Sequence, residues 1–60
     1  ISLESEEAER LAARVELDIP DAAQWFQRQL ERMGATRALK EAGVRPGDTV
    51  HVGESEFDWL

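Results

Sequence analysis

Between Asp21 and Gly34 the chain reads DAAQWFQRQLERMG. Ala22, Trp25, Phe26, Leu30 and Met33 recur at steps of three and four, while Gln24, Gln27, Arg28, Glu31 and Arg32 fall between them. That spacing predicts one amphipathic helix with an apolar stripe that must be covered. Gly34 can take the left-handed conformation that closes a helix, which sets the end. Two of the four aromatic residues, Trp25 and Phe26, lie on the stripe, and aromatics bury more area than aliphatic residues. The core is therefore expected to form over this helix, with Trp25 and Phe26 inside it rather than displayed as a stacking platform for bases.

Upstream, Ile1 to Glu4 alternate apolar and polar, as a short half-buried strand would. Ser5 followed by Glu6 and Glu7 reads as a helix start, because a hydroxyl accepts an early backbone N–H and carboxylates suit the positive end of the helix dipole. Ala8, Leu11, Ala12 and Val15 form the narrow apolar face of this first helix, and small residues permit close approach to the central one. Glu6 with Arg10 is a favourable pair four apart and Arg10 with Arg14 an unfavourable one, each worth only about 0.2 to 0.5 kcal/mol. Pro20 then interrupts the pattern and starts the central helix, with Asp18 expected as its cap and Asp21 in its first turn.

Downstream, Thr36 is expected to cap a third, short helix running from Arg37 to Ala42 and closed by Gly43. Pro46, Gly47 and Asp48 give a turn, after which the period changes to two. Thr49 to Val52 and Ser55 to Trp59 alternate on either side of Gly53 and Glu54, which predicts a β-hairpin with glycine first in a two-residue turn. In that register Val52 faces Ser55, His51 faces Glu56 and Val50 faces Phe57. Cross-strand partners share a face, so the Val50 and Phe57 side is core and the His51 and Glu56 side is wet. The expected fold is α+β: three short helices packed on a small sheet that contains a C-terminal hairpin, in a single domain spanning 1–60.

Sixty residues sit near the lower limit at which a chain without disulfides or metal buries enough surface to fold, so marginal stability in isolation is expected. Seven basic and thirteen acidic side chains give a formal charge of −6, which opposes binding to a phosphate backbone and suits a basic protein surface. With no cysteine there is no disulfide framework or thiolate metal site, which fits a cytoplasmic protein. Apolar runs are too short to cross a membrane, and the acidic start lacks the pattern of a signal peptide. The chain reads as soluble and unprocessed, and its first residue, Ile1, suggests a piece of something longer.

No constellation assigns chemistry. A phosphate-binding loop requires GxxxxGK followed by Ser or Thr, and the one lysine, Lys40, lies between Leu39 and Glu41. His51 with Glu54, Glu56 and Asp58 is read as a solvated cross-strand group rather than a metal site or an acid–base pair. Ser2, Ser5 and Ser55 with His51 lack any flanking nucleophile motif. The acidic run Glu4, Glu6, Glu7 and Glu9 is a solvated helix start, with docking of a basic partner as its alternative. No catalytic, cofactor-binding or metal residue is therefore assigned.

The order of the pieces is more specific than any one of them. FQRQLERMG, a short ALKEAG helix and then GVRPGDTVHVGESEFDW resemble the C-terminal domain of bacterial Obg-type GTPases. The resemblance spans nearly the whole chain and is strongest from Phe26 to Trp59, through Phe26, Gly34, Ala38, Leu39, Ala42, Gly43, Gly47, Asp48, Val50, Gly53, Glu56, Phe57 and Trp59. Before Leu17 only Glu9, Arg10 and Leu11 stand out. Ser55 replaces a residue that is often large in the family, and His51 stands where a basic residue is common. The resemblance implies a parent with a glycine-rich N-terminal domain and a central GTPase domain that uses GTP, GDP and magnesium. It further implies work in large ribosomal subunit assembly and in growth or stress control, with the adjacent GTPase domain and the large subunit as partners. The nucleotide-contacting residues of the family fall outside these positions, so this chain itself is expected to be a non-catalytic docking or regulatory module. The alternative is a stand-alone acidic adaptor for a basic protein; a small hydrolase would need turnover dependent on His51.

Overall fold

Phe26 and Leu30 have no exposed surface, and the other elements close around them. The computed structural model describes residues Ile1–Leu60. In chain order it contains β1 (Ser2–Leu3), α1 (Glu6–Ala12), α2 (Pro20–Met33), α3 (Ala35–Glu41), β2 (Thr49–Val52) and β3 (Ser55–Asp58). The three strands form one sheet in the order β1-β2-β3, with β1 parallel to β2 and β2 antiparallel to β3. Parallel neighbours cannot be joined by a tight turn, and here the whole helical segment provides the crossover. This is the expected α+β arrangement of three helices and a small sheet with a C-terminal hairpin.

The hairpin has the expected register: Val50 opposite Phe57, His51 opposite Glu56 and Val52 opposite Ser55. Gly53 has φ 60° and Glu54 a negative φ, which fits a turn with glycine in its first central position. A Cβ at Gly53 would also lie 3.2 Å from the Glu9 side chain, so α1 approaches the hairpin tip closely. The ladder continues beyond the strands, with Trp59 donating to the Asp48 carbonyl at 2.8 Å and Gly47 to the Trp59 carbonyl at 2.7 Å. That continuation holds Trp59 in the core beside Phe57, Val50 and Val52.

Ser5 caps α1 as expected, its hydroxyl accepting from the Ala8 N–H at 3.3 Å. The helix stops at Ala12, short of Val15, because Arg14 and Val15 donate to Leu11 and Ala12 three residues back and tighten the last turn. Val15 still packs against the core from beyond the helix end.

Three expectations for the other helices need correction. Asp18 does not cap α2: Pro20 occupies the first helical position, so the cap falls on Ile19, whose side chain offers no acceptor. Trp25 is 41% exposed rather than core. Consecutive helical residues point about 100° apart, so Phe26 and Trp25 cannot both sit at the centre of one stripe. Phe26, in line with Leu30 and Met33, takes the centre. Thr36 does not cap α3 but lies inside it, buried, with a hydroxyl that has no hydrogen-bond partner. The reason is Gly34, which at φ 84° ends α2 and begins α3 in a single residue and so moves the start of α3 forward. At the far end of α3, Val44 donates to Leu39 and Gly43 to Lys40, the bond pattern that satisfies the last carbonyls of a helix.

Candidate functional site

The polar face of the sheet gathers the residues that chemistry would use first. Because Ser2 pairs with His51 and His51 with Glu56, these three side chains lie in a row across β1, β2 and β3. All three residues are exposed, and no hydrogen bond joins them. A serine, a histidine and a carboxylate in open solvent, with no bond orienting the base, do not make an activated nucleophile. Asp58 instead accepts from the Thr49 hydroxyl at 3.4 Å, a cross-strand contact that joins the ends of the same face. Ser5 is committed to its helix cap. No group of three or more His, Cys, Asp or Glu side chains is placed to hold a metal ion.

A second feature lies at the corner of α2 and α3. A hollow of about 280 Å³ is lined by Gln24, Gln27, Arg28, Glu31, Thr36, Lys40 and the chain end at Trp59 and Leu60. Gln27 grips that end in both directions, its amide nitrogen donating to the Leu60 carbonyl at 3.2 Å and its amide oxygen accepting from the Leu60 N–H at 3.0 Å. Arg28 and Lys40 take part in neither of the two ion pairs, Glu6 with Arg10 and Arg37 with Glu41. Gln27 was missed in the sequence because a polar residue on the rim of an amphipathic helix carries no mark of a long-range partner.

The third feature is the free edge of β3. His51 donates its N–H to the Ile1 carbonyl at 2.7 Å, away from β3, so Val50 and Val52 face β3 and bond Phe57 and Ser55. Alternation then turns the backbone groups of Glu56 and Asp58 outward. Their side chains, with that of Glu54, are exposed along the same edge. The acidic run Glu4, Glu6, Glu7 and Glu9 is likewise exposed, most simply as the charged start of α1. No helix is long and apolar enough to cross a membrane.

These features define a small α+β module of three helices and a three-stranded sheet. Residues 2–59 match the model of a family described as a domain of unknown function, DUF1967. The chain is 44% identical over 57 residues to a protein named GTPase Obg from Desulforudis audaxviator, covering 95% of this chain and 13% of that protein. It is 43% identical over 53 residues to GTPase Obg of Rubrobacter xylanophilus, covering 88% of this chain and 13% of the relative. For GTPase Obg of Brevibacillus brevis the identity is 44% over 55 residues, covering 92% and 13%. The chain belongs to the DUF1967 family, in the form carried by Obg GTPases, as its resemblance implied. It spans about an eighth of the length of these relatives. No solved structure matches it.

Proposed function

We propose that the chain is the C-terminal, non-catalytic docking and regulatory domain of an Obg-type GTPase acting in the cytoplasm on large ribosomal subunit assembly and on growth or stress control. The observation that carries this reading is the pairing of 95% coverage of the chain with 13% coverage of a relative named GTPase Obg. Most of such a protein lies outside this module, and the module brings no phosphate loop of its own. GTP, GDP and magnesium belong to the parent's GTPase domain. The residues present do not fit them here, since Lys40 stands on α3 without a glycine-rich loop and the carboxylates do not converge. The domain then works through contact with the adjacent GTPase domain and with the large subunit, where a charge of −6 favours basic protein surfaces over exposed nucleic acid.

The test compares the full-length GTPase with a form lacking residues 1–60, by single-turnover hydrolysis, nucleotide release and subunit binding at two salt concentrations. The expected result is an unchanged chemical step with altered release or binding, and a salt dependence that reflects screening over about 8 Å at physiological ionic strength. Loss of the chemical step would place an essential group in this domain. Unchanged release and binding at both salts would remove the docking role.

A further inference from the structure

The two edges of the sheet differ. β1 is blunted by its length of two residues, whereas β3 offers four residues in unbroken register with β2, with no proline and no bulge. Edge strands present unpaired N–H and C=O groups that template pairing with another chain, and proteins manage such edges rather than ignore them. On β3 the outward groups are those of Glu56 and Asp58, for the reason set by the His51 to Ile1 bond. No other backbone segment of the chain bonds to them.

The charge along this edge selects among occupants. Glu54, Glu56 and Asp58 are exposed on it, and no lysine or arginine lies on β3 or in its turn. A second copy of the chain paired through the same edge would bring carboxylates against carboxylates, which is unfavourable for residues directly opposite. A strand with Lys or Arg on the wet face would instead meet Glu56 and Asp58 as opposite charges. At the Asp58 end the edge opens on a hollow of about 230 Å³ in which apolar Leu17, Ala23 and Leu60 stand beside the carboxylates of Asp18 and Asp58. That mixed lining suits a long basic side chain at the end of an added strand, its aliphatic stem on the apolar wall and its charge toward Asp18 and Asp58.

We infer that the free edge of β3 docks an extended basic polypeptide segment of a partner protein, which adds to the sheet as a fourth strand through the backbone groups of Glu56 and Asp58. Main-chain bonds supply the pairing, and the carboxylates supply the choice of partner. The inference rests on the docking role proposed above and gives that role a surface and a partner chemistry.

Hydrogen exchange of the full-length protein, followed by mass spectrometry, tests it with a probe peptide of alternating lysine and valine and a control of alternating glutamate and valine. The lysine peptide is expected to slow exchange at least tenfold in the segment from Glu54 to Asp58, and the glutamate peptide to leave it unchanged. Glu56→Pro removes an outward N–H that serves no bond of the β2–β3 ladder, a position where edge strands tolerate proline. It should abolish that protection. Glu56→Thr keeps the donor, removes the charge, and should weaken protection without abolishing it. Protection confined to the acidic start of α1, equal protection by both peptides, or no protection at β3 would each overturn the edge as the docking site. Glu56→Thr settles the matter if Glu56→Pro unfolds, since loss of charge with full retention of protection would remove the role of the carboxylates. The deletion comparison above stands apart from these outcomes: an effect of deletion without protection at β3 keeps the docking role and discards this surface.

Discussion

Phe26 of α2 and Phe57 of β3 meet edge to face, their ring centroids 5.3 Å apart and their planes at 87°. This contact joins the central helix to the edge strand of the sheet, and Phe57 passes it on to Trp59 at 6.2 Å. Such pairs contribute about 0.5 to 1.5 kcal/mol beyond the area they bury. All three rings belong to the one buried cluster of the chain.

Phe26→Ala is therefore expected to cost about 3 to 5 kcal/mol, by lost transfer energy and the cavity left behind. Small domains have total stabilities near the lower end of about 5 to 15 kcal/mol, so the variant should be largely unfolded at 25 °C. Trp25→Ala, at a residue 41% exposed, should melt cooperatively close to the parent temperature. Circular dichroism melts of the two variants make the comparison. Similar losses from both would place Trp25 in the core after all.

That contrast also marks what the sequence could and could not tell. The hairpin was legible down to its register, because a two-residue turn and strict alternation leave one way to put Val50 and Phe57 inside. The helix start at Ser5 was legible because its signal is local. Trp25 was misread because a stripe drawn from spacing alone accepts neighbours about 100° apart, and only the sheet decides which of them is central. Thr36 was misread because Gly34 serves two helices at once, an economy that neither helix pattern displays alone. The free edge of β3 was out of reach until the strand order was known, since alternation within a hairpin does not say which side a third strand takes.

Thr36 gives a stability prediction of the opposite sign. Its hydroxyl is buried and unpartnered, and an unsatisfied buried polar group costs about 1 to 3 kcal/mol. Valine keeps the branched shape and removes the hydroxyl. Thr36→Val should therefore stabilise the domain by about 1 kcal/mol and raise its melting temperature by about 4 to 8 °C. A lowered melting temperature would show that the hydroxyl has a partner in solution.

Gly34 carries the α2–α3 corner at φ 84°, with nothing within 4 Å of the position a Cβ would occupy. Substitution there meets backbone strain and no steric clash. Gly34→Ala should cost about 1 to 2 kcal/mol, the penalty of the left-handed region for an ordinary residue, and Gly34→Asn less, since asparagine visits that region more readily. Urea unfolding of the two variants gives the order. Equal stability of Gly34→Ala and the parent would mean that the corner relaxes to another conformation.

Gln27 is the one side chain that holds the chain end, and it does so through both halves of its amide. These bonds are exposed to solvent, so their removal leaves no orphaned buried group, and the net contribution of each is about 0.5 to 1.5 kcal/mol or less. The larger consequence is local. Trp59 lies one residue before Leu60 and is itself tied to Asp48 and Gly47 by backbone bonds, so local opening at Leu60 should not pass Trp59. Gln27→Ala is expected to speed amide exchange at Leu60 while leaving exchange at the buried Val50 and Phe57 within twofold of the parent. Gln27→Glu separates the two halves: it keeps an acceptor for the Leu60 N–H, loses the donor to the Leu60 carbonyl, and should give an intermediate rate. Faster exchange at Val50 in either variant would show that the clamp supports the whole sheet rather than its last residue, and an unchanged Leu60 would show that the amide does not hold the chain end in solution.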